Sequence, residues 1–409
     1  MNHKAYQIPK RLLLEAWESV RVAAGGAGVD GVTIAMYEAK LYSNLYKLWN
    51  RMSSGSYFPK PVKQVGIPKA DGGTRLLGIP TVEDRIAQAA VRLQLEPAID
   101  PKFHRDSYGC RPGRSAHQAV TSCRQRCWEM AWVVDLDIKK YFDSIPHELL
   151  LKAVEKHTTT KWELLYIKRW LRCEVMTPEG ARYSAICGTP QGGVISPLLA
   201  NLFLHYGFDL WMQRTYPELR FERYVDDIII HCPSESKATL LMQAVTERFA
   251  TIGLELNLDK SKLVHCQDTR RAKACDYSTV SFTFLGFDFK PRRALPGKGR
   301  YCVFAPAAGK RAKKKFMDTM RGLKIPKRVQ ADFKGLARLV NQYARGWINY
   351  FQVFNRSELR YTLFRLNSIL IQWLCKKYSV PIRKAQRMLA KQVKQKPALF
   401  AHWAFGVKQ

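Results

Sequence analysis

Two adjacent carboxylates, Asp226 and Asp227, stand between the β-prone stretches Arg223-Tyr224-Val225 and Ile228-Ile229-Ile230. Flanks of that kind place the pair at the tip of a tight hairpin. Clustered carboxylates repel one another unless a cation lies between them. An oxygen-rich cluster suits Mg²⁺, which keeps several waters and shares phosphate oxygens with a substrate. Taken alone, the pair is also compatible with an ordinary exposed Asp-Asp turn.

A second acidic site narrows the choice. About 90 residues earlier, the apolar run Trp132-Val133-Val134 leads into Asp135-Leu136-Asp137. Alternate residues of a strand share a face, so Asp135 and Asp137 point the same way. If this strand lies beside the hairpin, three carboxylates converge on two cations. Two metals about 4 Å apart can activate a 3′-hydroxyl and stabilise departing pyrophosphate. Without cations such a cluster is costly, which weighs against a purely structural role.

The surrounding residues resemble those of a known family. Tyr224-Val225-Asp226-Asp227 and Asp137-Ile138-Lys139-Lys140-Tyr141-Phe142-Asp143 are similar to the palm motifs of reverse transcriptases. Between them, Gly188-Thr189-Pro190-Gln191-Gly192-Gly193 resembles the family's Pro-Gln-Gly-Gly motif and runs on to Asn201. Leu256-Asn257-Leu258-Asp259-Lys260 and Phe284-Leu285-Gly286-Phe287 follow in the family's order. Upstream, Ile67-Pro68-Lys69 and Arg75-Leu76-Leu77-Gly78-Ile79-Pro80 resemble the fingers motif of group II intron enzymes, and Ser107 to Ser115 is typical of them.

The resemblance implies site residues. Asp137, Asp226 and Asp227 would hold Mg²⁺ (or Mn²⁺) and carry catalysis, with Lys260 as proton donor to pyrophosphate. Lys69, Arg75, Ile138, Phe142 and Gln191 would contact the incoming dNTP, and Phe142 would exclude a 2′-hydroxyl. Arg111 and Arg114 are expected on the template or primer backbone. Asp135 and Asp143 are expected to act from behind the site or structurally.

Charge divides the chain unevenly. Residues 291–409 carry 28 Lys and Arg against three acids, whereas the other 290 residues carry 39 against 31. An excess that large over a foldable length implies a polyanionic partner, nucleic acid first. Apolar residues recur three and four apart over Asp332–Phe351 and Ser357–Tyr378, and a shorter basic helix is expected after Pro381. The segment resembles the group II intron maturase (thumb) domain from Leu336 through Trp403. Arg338 and Arg345, with Arg360 and Arg365, would reach phosphates or 2′-hydroxyls.

These readings give an α+β right-hand polymerase followed by a basic all-α domain. Fingers are expected over 1–130, palm over 131–290, a Pro- and Gly-rich linker over 291–310, and thumb over 311–409. Within them, a hairpin is expected across Asp71-Gly72-Gly73, and helices over Arg11–Val22, Ser196–Met212 and Lys237–Ile252. Phe282 to Phe289 reads as one short strand. The ten cysteines form no C-x-x-C pair and read as reduced, buried thiols. No apolar run approaches a membrane-spanning length, so a cytoplasmic protein, associated with ribonucleoprotein or nucleoid, is expected. Partners would be an RNA template, an intron RNA, a DNA or RNA primer and dNTPs. No cysteine pairs of an H-N-H endonuclease follow residue 310, so DNA cleavage is not expected. Two other readings remain open from sequence: a splicing cofactor with a dead polymerase core, and a domesticated polymerase free of any intron.

Overall fold

The computed structural model describes residues 4–68, 73–269, 277–294 and 301–407. The chain divides into two compact units. The first comprises Met1–Ala119, Val134–Cys232 and Ser236–Ser261, and the second Val120–Val133, Pro233–Glu235 and Lys262–Gln409.

In the first unit, helix Lys10–Ala23 buries Leu13, Ala16, Trp17 and Val20 against helix Val82–Ile99. That spacing is one face of a 3.6-residue period. Helix Val82–Ile99 starts on Thr81, whose hydroxyl accepts from the Asp84 amide at 3.1 Å, a standard N-cap. Strands β1 (Val62–Pro68) and β2 (Thr74–Ile79) form the expected antiparallel hairpin, in register from Lys63↔Ile79 to Pro68↔Thr74. Its tip, with Lys69 and Asp71-Gly72, lies outside the described residues.

Strand β3 (Trp132–Leu136) is the apolar run that delivers Asp137. Two short strands, β4 (Glu174–Met176) and β5 (Arg182–Ser184), extend the β1–β2 sheet in the order β2-β1-β4-β5. Strands β6 (Arg220–Tyr224) and β7 (Asp227–Cys232) pair antiparallel, closing on Tyr224↔Asp227, and β7 lies beside β3. The long helix expected over Ser196–Met212 is present but not uniform. It is α-helical over Ser196–Leu204, a π-turn over His205–Asp209, and α-helical again over Leu210–Thr215.

The second unit holds β8 (Lys262–His265), β9 (Phe282–Phe284), β10 (Phe287–Ala294) and β11 (Tyr301–Ala308). The single strand expected over Phe282–Phe289 is two, because Leu285 (φ 50°) and Gly286 (φ 82°) form a left-handed turn between them. Most of the described residues in the stretch expected as a linker, 291–294 and 301–308, lie in strands. These residues complete the β10–β11 ladder, in register from Phe287↔Ala308 to Ala294↔Tyr301. Prolines argue against strands, but β11 is the edge of the β11-β10-β9 sheet, and Pro291 lies beyond the three residues that β9 pairs.

Four long helices, Lys310–Gly322, Phe333–Phe351, Arg356–Tyr378 and Ile382–Gln395, and a short one, Ala401–Ala404, follow among the described residues. Each long helix buries an apolar stripe, such as Leu359, Leu363, Leu366, Leu370 and Trp373, while Arg338, Arg345, Arg360 and Arg365 are exposed. The closing segment is tied down by two side-chain amides. Asn341 donates to the Leu399 carbonyl and accepts from the Ala401 amide. Asn367 Oδ1 accepts from Trp403 Nε1 and from His402 Nε2, both at 2.9 Å. No helix among the described residues is long and apolar enough to cross a membrane.

Candidate active site

The β6–β7 connection has only two residues, Val225 and Asp226. Val225 has φ 63° and Asp226 has none of this left-handed character, the pattern of a type II′ turn, whose first position favours glycine. A β-branched residue there is strained, at a cost of about 1–3 kcal/mol, and persists only where its surroundings fix it.

Those surroundings are specific. The segment ending at Tyr108 runs beside β6: the Arg223 amide donates to the Asp106 carbonyl at 2.9 Å, and the Tyr108 amide to the Arg223 carbonyl at 2.8 Å. Gly109 then lies so close under the turn that a Cβ would meet the Val225 nitrogen at 2.6 Å. Only glycine allows that approach.

Burial pushes the Asp226 carboxyl above its ordinary range; the charge of Asp137 adds to the rise, while Arg75 and Arg223 oppose it. Asp226 therefore feels both an acid just past the end of β3 and a cation from the β1–β2 hairpin. Backbone bonds fix Asp137. Its amide donates to Ser261 Oγ at 3.1 Å, and its carbonyl accepts from the Asn257 amide at 2.8 Å. The same turn, Asn257 to Ser261, carries exposed Lys260 beside Asp137. Lys262, the other basic residue of that stretch, opens β8 in the second unit.

Two of the residues expected at the nucleotide, Arg75 and Gln191, meet. Arg75 Nε donates to Gln191 Oε1 at 2.9 Å, and Gln191 Nε2 donates to both Asp143 oxygens at 3.1 and 3.2 Å. The Gly78 amide donates to the Gln191 carbonyl, and the Thr189 amide to that of Phe142. A Cβ on Gly192 would meet the Gly78 carbonyl at 2.3 Å, so this glycine lets the loop lie against β2. Asp143 is thus the residue that orients Gln191.

For two of the expected contact residues the structure limits what the side chain can do. Ile138 is 6% exposed and bridges to Leu256, so its side chain belongs to the core. Arg111 does not face a nucleic-acid backbone with its guanidinium, which is 5% exposed on the side chain. Its five N–H donors are all engaged by the Asp100 carboxylate and by the carbonyls of Asp100, His104 and Ser107. Arg114, by contrast, is exposed and lies over the Tyr108 ring. Arg111→Ala should therefore destabilise the fold by about 3 kcal/mol, the scale for breaking a largely buried pair. Chemical denaturation would report the loss. The salt dependence of RNA binding should stay at its wild-type slope, since no phosphate contact is removed.

The sequence reading missed Arg223 and Asp209. Both are fully buried; Asp209 is a lone acid inside an apolar run, and that isolation was the available signal, whereas Arg223, next to Glu222, carries none.

The family described as reverse transcriptase (RNA-dependent DNA polymerase) matches residues 67–289, more than half of the chain and the whole span of these side chains. The chain is a reverse transcriptase. The maturase-specific domain of group II introns matches residues 313–392 of the same chain. This reverse transcriptase is 32% identical over 320 residues to Protein YkfC of Escherichia coli (strain K12), covering 68% of the chain and 80% of that protein. It is 34% identical over 182 residues to the group II intron-encoded protein LtrA of Lactococcus lactis subsp. cremoris, 44% of the chain and 30% of LtrA. It is 29% identical over 215 residues to a putative COX1/OXI3 intron 1 protein of Saccharomyces cerevisiae, 52% of the chain and 26% of that protein. The right-hand fold with a helical, basic C-terminal domain, and RNA-directed DNA polymerase activity, belong to that membership.

Nine cysteines lie among the described residues, none of them in a disulfide, and five are buried: Cys123, Cys127, Cys173, Cys232 and Cys266. Cys110 is exposed as a residue, but its thiol is partly desolvated, which together with the charge of Asp226 raises its pKa.

Proposed function

We propose that this reverse transcriptase extends a DNA or RNA primer along an RNA template with dNTPs, and binds a group II intron RNA to assist its splicing and retrohoming. The observation that carries the polymerase reading is Asp226 on a two-residue turn, sensing Asp137 just past the end of the adjacent strand β3. In this reading, residues up to about 130 act as fingers, 131–290 as palm, and the helices beyond 310 as thumb. The protein would work in the bacterial cytoplasm, with ribonucleoprotein or nucleoid.

The acids fit a pair of hard divalent cations, Mg²⁺ or Mn²⁺: the donors are carboxylate oxygens, and burial already disfavours the charged form of Asp226. Asp137, Asp226 and Asp227 would hold them. Bound there, such ions lower the pKa of the primer 3′-hydroxyl and offset charge on the leaving pyrophosphate. Lys260, on the turn that bonds to Asp137, would protonate the pyrophosphate. Arg75 would exchange its bond to Gln191 for the triphosphate, and Lys69 would join it. Phe142 would lie under the sugar and exclude a 2′-hydroxyl. Exposed Arg338, Arg345 and Arg114 would contact RNA phosphates, a positioning role without sequence information.

Primer extension on an RNA template tests the reading. Wild type should incorporate dNTPs in the presence of Mg²⁺. Phe142→Ala should narrow the dNTP-over-rNTP preference by about 10- to 100-fold, the value of one shape contact in a pocket. An unchanged preference would make Phe142 a packing residue, and no extension by folded wild type would remove the polymerase reading.

A further inference from the structure

The strained turn that carries Asp226 is held from inside the first unit by a buried ionic clamp. Arg223 is completely buried. Its guanidinium forks onto Asp209, Nε to Oδ1 at 2.7 Å and Nη2 to Oδ2 at 2.6 Å. Its remaining nitrogen, Nη1, donates to Asn201 Oδ1 at 2.8 Å and to the Val225 carbonyl at 3.1 Å. Asn201 in turn donates to the Gly109 carbonyl at 2.7 Å. One cation thus grips the turn at Val225, and its partner Asn201 grips the glycine that lies beneath the same peptide.

The π-turn makes this possible. Asn201 and Asp209 are eight residues apart, and at about 100° per residue an unbroken α-helix would set them about 80° apart. A π-turn absorbs one residue. The effective spacing becomes seven, about 20° from perfect alignment, and both side chains reach one guanidinium. Burial raises the Asp209 carboxyl, but the Arg223 charge and the hydrogen bonds from His205 and Arg223 together outweigh it and hold the carboxyl below its ordinary range.

A buried pair of this kind is weak evidence for stability, since a well-packed apolar pair often serves the fold as well. Its directional bond to Val225 is another matter. We propose that Arg223, held by Asp209 and Asn201 through the π-turn His205–Asp209, is a positioning residue that sets the Val225-Asp226 peptide at the geometry divalent cations require. The inference rests on the proposed role of Asp137, Asp226 and Asp227 as metal ligands.

The test replaces the pair without leaving a buried charge: Arg223→Met combined with Asp209→Leu. Three quantities are read: the thermal midpoint, the Mg²⁺ concentration giving half-maximal primer extension, and Mn²⁺ binding followed by electron paramagnetic resonance. The double variant should fold, require about tenfold more Mg²⁺ and bind Mn²⁺ about tenfold more weakly, the usual loss when groups behind metal ligands are removed. A folded double variant with the wild-type Mg²⁺ requirement and Mn²⁺ affinity would overturn the proposal. If the double variant does not fold, Asn201→Ala decides by the same readouts. It should shift both by about threefold, the scale of one lost hydrogen bond, and no shift overturns the proposal. Asp226→Ala separates the two levels: if it binds Mn²⁺ as wild type does, the metal-site reading itself falls, and the clamp's role with it.

Discussion

Asp226→Ala should abolish primer extension, by about a thousandfold or more, while leaving the protein folded. A loss of that size corresponds to roughly 4 kcal/mol in the barrier. It is expected because no neighbouring group can substitute: Asp137 is fixed by backbone bonds to Asn257 and Ser261, and Asp227 begins a strand paired with Tyr224. The stability prediction has the opposite sign. Burial and the charge of Asp137 both raise the Asp226 carboxyl, so in the absence of divalent cations the ionised side chain opposes folding. The alanine variant should melt at the wild-type temperature or slightly above it in EDTA, and lose the stabilisation that Mg²⁺ gives wild type. Calorimetry with and without Mg²⁺, beside the extension assay, checks both. Activity retained within tenfold would place catalysis elsewhere.

The second large effect is a pH dependence located in the second unit. His402 is fully buried, and burial pushes its imidazole down to about 3. Its tautomer follows from its partners. Trp403 Nε1 can only donate, so the shared Asn367 oxygen is an acceptor, and His402 Nε2 must carry the proton. The folded state therefore holds a neutral ring, whereas the unfolded chain binds a proton near pH 6.5. Because the unfolded state binds more protons between those values, stability is complete above pH 6.5 and falls as pH drops below it. The loss is about 2 kcal/mol at pH 5. Urea unfolding of wild type at pH 7.5 and 5.0 should show it. His402→Gln, which retains a donor for Asn367, should flatten that part of the pH profile. An equally steep profile in the variant would assign the effect to other groups.

Much of this site was legible before any coordinates. The acids, the Gln191 loop and the basic helices each have a local signature: a hairpin flank, a glycine cluster, a 3.6-residue period. The parts that were not legible depend on partners distant in the chain. Nothing near Arg111 distinguishes a phosphate-binding arginine from one enclosed by Asp100, His104 and Ser107. The π-turn is invisible to a periodicity argument, because its effect is to move Asp209 toward an arginine in a strand not yet placed. The supposed linker was misread for a local reason that tertiary context removes. Pro291 and Pro306 forbid an interior ladder position, and neither occupies one that needs its missing donor.

The composition of the second unit bears on how such enzymes can be dissected. Its compact body includes Val120–Val133, drawn from the middle of the polymerase sequence. Trp128 donates to the Phe304 carbonyl at 2.7 Å, and Arg124 lies over the Phe354 ring. At the other end, Asn341 and Asn367 need Leu399, Ala401, His402 and Trp403. The family segment 313–392 includes neither set of partners. Excised as a cassette, it would expose aromatic faces and strand two interior amides without their bonds. The heritable module and the autonomous folding module are therefore different objects here, and a swap cut at the linear boundary would exchange only part of a body.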